Sequence, residues 1–303
     1  MKDQQSLWMK LEKTVGLQKL IALIALIVIF GFFAISSESF RSFDTAVSIL
    51  DASYYIGFLA IGVTFVIITS GIDLSIGTVM MCSAIIGGVL HTKLGWPLWL
   101  SLLAILVIGG VFGLFNGILI AKFGLPPFIA TLGTMMISRG LSSIVSNVQS
   151  VTFPLRGTGE GWYKDLFRTK ENFPTGLIVL IIIAIIAAIV LNKTKIGRYI
   201  FAIGSNKEAT RLSGVNVIKW EAMAYVISGL FAGLAGIAYA ATYSTILPGT
   251  GNGMELDAIA GVVVGGTSLA GGVGSVLGTI IGVFIMSVLK IGLPYIDLQP
   301  HYQ

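Results

Sequence analysis

Apolar runs at residues 20–35, 54–69, 76–90, 97–120, 128–145, 177–191, 221–243, 256–269 and 273–293 follow one another along the chain, with short polar segments between them. A helix rises about 1.5 Å per residue and needs roughly 20 apolar residues to cross about 30 Å of hydrocarbon. Most of these runs reach that length with their flanks, so the pattern predicts an all-α polytopic membrane protein with nine spans. The runs 76–90 and 256–269 fall short. Short spans with glycine beside them predict broken or re-entrant helices, which persist where they are buried in protein or line a cavity. The two short runs lie five spans apart and are approached from opposite sides, as an inverted repeat of five plus five spans would place them. The first run follows Lys2, Lys10, Lys13 and Lys19, like a signal peptide, but no small-x-small cleavage site comes after it, and it reads as a retained first helix.

Composition narrows the class further. Apolar residues make up 55% and charged residues 11% of 303 residues, against about 25% charged in a soluble domain. The net charge of +5 then carries orientation information rather than an affinity for nucleic acid. With the amino terminus inside, inner segments hold Lys2, Lys10, Lys13, Lys19, Lys122, Lys193, Lys195, Arg198, Lys207, Arg211 and Lys219, and outer segments hold Arg41, Lys93, Arg156, Lys164, Arg168 and Lys170. That bias predicts a cytoplasmic amino terminus. The chain then reads as one transmembrane domain over 1–303, with a cytoplasmic segment 1–19, an extracytoplasmic loop 146–175 and a cytoplasmic loop 192–220. The lone Cys82 lies in an apolar run and reads as a small buried hydrophobe.

The 38 glycines fall partly into stripes: Gly109, Gly113 and Gly117; Gly229 and Gly233; Gly274, Gly278 and Gly282. Such stripes let helix backbones approach closely in lipid. No phosphate-binding loop, metal-ligand spacing or nucleophile–base set is present, so no enzymatic activity, cofactor or metal is expected. Asp73, in "SGIDLSIG", is placed to cap a helix beginning at Leu74, and Glu255 and Asp257, in "GNGMELDAIAG", to cap the helix at Leu256. The alternative is that these three acids flank a path or gate. In the loop 192–220, Ser205 and Glu208 fit a capping box and Gly214 a helix stop. The two turns between them are too short to persist alone in water. They are expected to dock, either on the protein's own inner surface or on a soluble partner, to which Lys207 and Arg211 would offer charge.

The stretch "GRYIFAIGSNKEATRLSGVNV", residues 197–217, resembles the cytoplasmic coupling segment of ATP-binding-cassette importer permeases for monosaccharides, the ribose, xylose, arabinose and galactose group. "GIDLSIG", "PPFIATLGTMMISRG" and "ELDAIAGVVVGGTSLAGGVGSVLGT" resemble further signatures of that group, in the same order. The resemblance implies a permease that hydrolyses nothing itself. Its partners would be a second permease chain, a cytoplasmic ABC ATPase and an extracytoplasmic sugar-binding protein, in the cell membrane. It also implies a tenth span beyond residue 303, the alternative being a protein of nine spans. Ile203, Gly204, Ser205, Asn206, Lys207, Glu208, Ala209, Arg211 and Gly214 would form the ATPase-coupling helix. A sugar path needs polar groups, and Asp73, Ser75, Asn116, Thr131, Glu255 and Asp257 are the candidates for it. The competing reading is a secondary carrier or channel of inverted-repeat architecture, against which the scarcity of mid-span carboxylates counts.

Overall fold

The structure is a computed structural model that describes residues 17–169 and 173–298. Lys2, Lys10, Lys13, Lys170, Glu171 and His301 lie outside the described residues. The helices that follow the nine apolar runs are α1 (Leu17–Ser36), α2 (Phe43–Ile68), α3 (Ile76–Thr92), α4 (Leu98–Gly117, continued by a π turn Ile118–Lys122) and α5 (Pro127–Ser146), then, after the short α6 (Trp162–Phe167), α7 (Thr175–Lys193). Two shorter helices, α8 (Lys195–Ser205) and α9 (Lys207–Leu212), lead into α10 (Val217–Tyr243), α11 (Met254–Val264) and α12 (Val276–Gly292). Seven of the described helices are long and apolar enough to cross a membrane. Of the helices that follow apolar runs, the two that are not, α3 with 17 residues and α11 with 11, are the runs that the hydropathy pattern marks as short.

Helix α2 is the central post. Its start is capped by Ser42, whose Oγ accepts the Thr45 N–H at 3.2 Å, and every residue from Asp51 to Ile68 is buried. An all-round apolar helix is stable only where other helices surround it, and α3, α7, α10, α11 and α12 all pack against it. By contrast α1 and α7 present Ile21, Ile27, Phe32, Ile182, Ile185 and Ile189 outward, as lipid-facing helices do.

The glycine stripes are close-packing surfaces. A Cβ at Gly113 would run into the Tyr225 carbonyl, and Gly109 meets Gly229 and Gly233 across the α4–α10 contact. Gly278 and Gly282 meet Gly265 and Gly261 where α12 passes α11. Helix α11 stops at Val264, short of the apolar run 256–269. Gly265, followed by Gly266 at φ +94°, ends it, and the remaining residues form a loop.

The two breaks are built alike. Helix α2 ends at Ile68, Ser70 turns at φ +64°, and residues 71–75 run back into the bundle before α3 begins. Helix α10 ends at Tyr243, Ser244 turns at φ +61°, and residues 247–253 run back before α11 begins. The amino ends of α3 and α11 meet: a Cβ on Gly77 would lie 2.7 Å from Glu255 Oε2 and 3.2 Å from the Glu255 nitrogen. From there the helices diverge. Gly88 of α3 packs beside Phe153 at one end of the molecule, while the loop after α11 brings Gly272 against Ser205 at the other. The surrounding packing follows the same pairing, α2 with α12 as α4 with α10, and α3 with α4 as α11 with α12. This geometry supports the inverted repeat.

The end reached by α3 is closed by residues 146–169. There β1 (Val151–Thr152) pairs antiparallel with β2 (Thr245–Ile246). Asp51 accepts from Arg168 Nε at 3.0 Å and from the Thr169 amide at 3.1 Å, tying this segment to α2. His91, at the carboxyl end of α3, meets Glu160 at 3.3 Å.

Candidate functional site

Two constellations carry the candidate residues. The first is the α8–α9 end. Helix α8 buries Gly197, Ile200 and Ile203 on one face. Gly197 lies against the Leu191 carbonyl and Gly204 against the Ile68 carbonyl, so closely that no side chain fits at either. The Ile68 carbonyl also accepts the Gly272 N–H at 2.9 Å, and Ser70 Oγ donates to the Ala270 carbonyl at 2.8 Å. Ile203 and Gly204 therefore anchor the segment to the end of α2 rather than present it outward.

The capping box is shifted by one residue. Ser205 remains in α8, its hydroxyl donating to the Phe201 carbonyl at 2.9 Å. The cap of α9 is Asn206, extended at φ −162°, whose Oδ1 accepts the Ala209 N–H at 2.9 Å. An amide oxygen caps as well as a hydroxyl, and an extended Asn206 ends α8 and opens α9 in one step. Gly214 takes φ +81° and donates to the Arg211 carbonyl at 3.0 Å, as a helix stop does. The basic residues of α9 are not open charges. Lys207 Nζ donates to Glu221 Oε1 at 2.8 Å, and Arg211 pairs with Glu208 at 2.8 Å. Exposed on α9 are Lys207, Glu208, Ala209, Arg211 and Leu212, the last by 84% and outside the ion pairs. Leu212 is absent from the sequence-derived set. Its signal is a large apolar residue at the end of a short helix, Lys207–Leu212, whose other positions are polar or small.

The second constellation joins the first break to its neighbours. Asp73 is buried, and its Oδ1 accepts the Ser75 hydroxyl at 2.6 Å and the Ser75 N–H at 3.0 Å. Its Oδ2 accepts from Ser228 of α10 at 2.9 Å. Asn116 of α4 donates to Ser75 Oγ at 2.9 Å and accepts from Thr134 of α5 at 2.5 Å. One continuous network thus ties α4, α5, α10 and the break before α3. Asp73 bonds the loop residue Ser75, and α3 starts at Ile76 rather than Leu74, so the acid fixes the break instead of capping a helix at Leu74. Thr131, one turn before Thr134, stays outside the network and donates to the Pro127 carbonyl of its own helix at 2.8 Å.

At the second break the acids divide. Glu255 Oε1 accepts the Gly253 N–H at 2.9 Å, and its buried Oε2 has no hydrogen-bond partner among the described residues. Asp257 pairs with Lys290 of α12 at 2.5 Å. The structure therefore joins Asp73, Ser75 and Asn116, places Glu255 where the two short helices meet, and sets Asp257 and Thr131 apart.

Compared with known proteins, residues 45–303 match the family model described as branched-chain amino acid transport system / permease component. The ribose import permease protein RbsC of Escherichia coli is 37% identical over 286 residues, covering 93% of this chain and 88% of its own. The fructose import permease protein FrcC of Rhizobium meliloti is 34% identical over 287 residues, 93% and 79% of the two chains. The galactose/methyl galactoside import permease protein MglC of Haemophilus influenzae is 35% identical over 293 residues, 92% and 87%. No solved structure matches.

Proposed function

The chain belongs to the family of branched-chain amino acid transport system permease components, and on that premise we propose that it is the membrane-spanning permease of an ATP-driven monosaccharide importer. The observation that carries the sugar assignment is that relatives named for ribose, fructose and galactose import match it over more than nine-tenths of its length. Being a permease component, it is a part of a transport machine rather than an enzyme. ATP hydrolysis then falls to a separate cytoplasmic ATPase, substrate delivery to an extracytoplasmic binding protein, and a second permease chain completes the membrane unit.

The α8–α9 end faces the cytoplasm in this reading. Lys19, Lys122, Lys193, Lys195, Arg198, Lys207, Arg211 and Lys219 all sit at or beside that end, in keeping with the inside excess of basic residues. The ATPase receives α9 through Glu208, Ala209 and Leu212, while Ile203, Gly204, Ser205, Asn206, Lys207, Arg211 and Gly214 shape, cap and anchor it. Asp73, Ser75 and Asn116 hold the first break in place, and Glu255 sits at the meeting of the two half-length helices, the gate of the path.

Uptake of labelled ribose, xylose, galactose and fructose by native-host cells with and without the gene tests the reading. Loss of uptake on ATP depletion, with no response to collapsed ion gradients, is the expected result. Uptake that follows an ion gradient after ATP depletion overturns it. Leu212→Asp is expected to remove co-purification of the ATPase while leaving the permease in the membrane. Undiminished co-purification would refute the assignment of α9.

A further inference from the structure

Helices α7 and α10 both pack on α2 and leave a groove between them. A Cβ at Gly57 of α2 would lie 2.9 Å from Leu180 of α7, and one at Gly62 would lie 2.6 Å from Phe231 of α10. The groove holds about 370 Å³ and is lined only by apolar residues, among them Phe65 of α2, Ile183, Ala187 and Val190 of α7, and Ile227 and Leu234 of α10. At about 1.5 Å per residue, the walls 183–190 and 227–234 each run about 10 Å. That is roughly two-thirds of one leaflet, since the whole hydrocarbon core is about 30 Å thick.

Cations gather at one end of this groove. Phe65 lies one turn before Ile68, where α2 ends, and Val190 one turn before Lys193, where α7 ends. Helix α8 crosses between those two ends, with Gly197 against the Leu191 carbonyl and Gly204 against the Ile68 carbonyl. Its Tyr199 packs on Trp220 of α10, ring centroids 5.0 Å apart, and Lys219 Nζ lies 5.2 Å from the centre of that indole. The mouth is thus bounded by Lys193 of α7, Lys195 and Arg198 of α8, and Lys219 of α10. All four are exposed, and among the described residues none is in an ion pair. The acids of the α8–α10 connection, Glu208 and Glu221, are already held by Arg211 and Lys207.

We propose that this groove and its cationic mouth bind an anionic phospholipid. One acyl chain lies along residues 183–190 and 227–234, and the phosphate sits among Lys193, Lys195, Arg198 and Lys219. An apolar groove of leaflet depth takes a hydrocarbon chain and rejects a sugar or an extended peptide, whose polar groups would go unpaired there. The cations at the mouth select a headgroup of net negative charge. Phosphatidylglycerol meets them, whereas the choline of phosphatidylcholine adds a further positive charge. Arg198 offers paired N–H donors to phosphate oxygens, and Tyr199 with Trp220 supplies the aromatic rings that settle at headgroup level. Seated there, the lipid fills the gap between α7 and α10 and holds α8 from its exposed side.

The full chain in phosphatidylcholine vesicles tests this, with a trace of phosphatidylglycerol that bears a photoreactive group midway along one acyl chain. A phosphatidylcholine probe with the same chain is the comparison. Peptides 183–190 and 227–234 are expected to take about fivefold or more label from the anionic probe than from the zwitterionic one. Val28 and Phe32, on the open face of α1, are expected to take both equally. Unlabelled phosphatidylglycerol is expected to displace the anionic probe from the groove where unlabelled phosphatidylcholine does not. The triple variant Lys193→Gln, Lys195→Gln and Lys219→Gln changes exposed side chains only and should bring the labelling ratio near one, while arginine at the same three positions should keep it. Equal labelling of the groove by the two probes would mean an ordinary lipid face and overturn the proposal. So would a ratio unchanged in the glutamine variant. A groove labelled by neither probe, with α1 labelled as usual, would mean that protein covers it, and would overturn the proposal as well. The probe occupies both leaflets and no transport is measured, so none of these outcomes depends on the permease reading.

Discussion

Asn116 shows what one buried polar side chain does in this protein. It donates to Ser75 and accepts from Thr134, so Asn116→Leu removes two bonds and strips partners from two buried hydroxyls. The expected cost is about 1–3 kcal/mol, seen as a lower melting temperature of the detergent-solubilised protein. Thr131→Val removes only a bond within one helix and is expected to cost less than about 1 kcal/mol. Equal losses would refute the division drawn between them. Asp73, Ser75 and Asn116 were legible in the sequence because a polar residue stands out in an apolar run. Their partners Thr134 and Ser228 were not, since hydroxyls are common in membrane helices and only packing decides which one meets Asn116 or Asp73. Lys164 makes a different prediction, outside the spans. It is 2% exposed, and its ammonium donates to Ser244 at the turn that begins the second break. Burial, with repulsion from Arg168 and Arg156, lowers its pKa from 10.5 to about 8. Between those values the unfolded chain binds more protons than the folded one, so this group adds stability as pH rises from about 8 toward 10.5. Below that window the lysine is charged in both states and the full cost of burying the charge remains. The melting temperature of the native protein relative to Lys164→Met should therefore rise between pH 7.5 and 9.5. Parallel curves would show that the lysine is solvated.

Among the elements, the α4–α10 contact is the most sensitive to added bulk. A methyl at Gly113 meets Tyr225 and Val226 main-chain atoms, which cannot step aside as a side-chain tip can. Gly113→Ala is expected to cost roughly 1–3 kcal/mol through overpacking. Gly133→Ala, with nothing near the new methyl, is expected to be neutral or to stabilise by up to about 1 kcal/mol from helix propensity. Thermal unfolding of the two variants under one condition checks both. A Gly133→Ala loss as large as that of Gly113→Ala would mean that the open face of α5 is closely packed in the membrane. The four-residue glycine spacing predicted the α4–α10 and α11–α12 contacts, because backbone approach in lipid leaves that trace. It also leaves Gly133 outside every stripe, and that glycine has open surroundings. The start of α9 slipped for a local reason. Ser205 and Asn206 can both cap, and the choice fell to Asn206 because α8 continues through Ser205. The short spans were visible as missing apolar length, whereas the meeting of their amino ends at Gly77 and Glu255 depends on two segments far apart in the chain.

Across the whole molecule, a few close contacts connect the cytoplasmic surface of the proposed importer to its interior. Helix α9 continues from α8, and α8 ends with Gly204 pressed on the Ile68 carbonyl, the last residue of the central helix. The same carbonyl holds Gly272 of the loop after α11, so α8, the start of the first break and that loop meet at one point. Five residues beyond Ile68, Asp73 bonds Ser228 directly and Asn116 through Ser75. In the proposed importer, a movement of α9 would reach the first break through these main-chain contacts, and packed contacts of this kind shift between discrete arrangements instead of yielding gradually. Gly204→Val should widen this junction and leave the outward face of α9, with Glu208, Ala209 and Leu212, unchanged. The ATPase should still bind and turn over, while sugar transported per ATP hydrolysed falls about fivefold or more, as expected when coupling weakens by 1 kcal/mol or more. Gly214→Ala is the control: it strains a residue at φ +81° with no neighbouring atoms nearby, and so should lower stability without changing that ratio. A fall in the ratio confined to Gly204→Val would place the transmission at the α8–α2 junction. An unchanged ratio in both variants, with normal ATPase binding, would show that force reaches the membrane by another route.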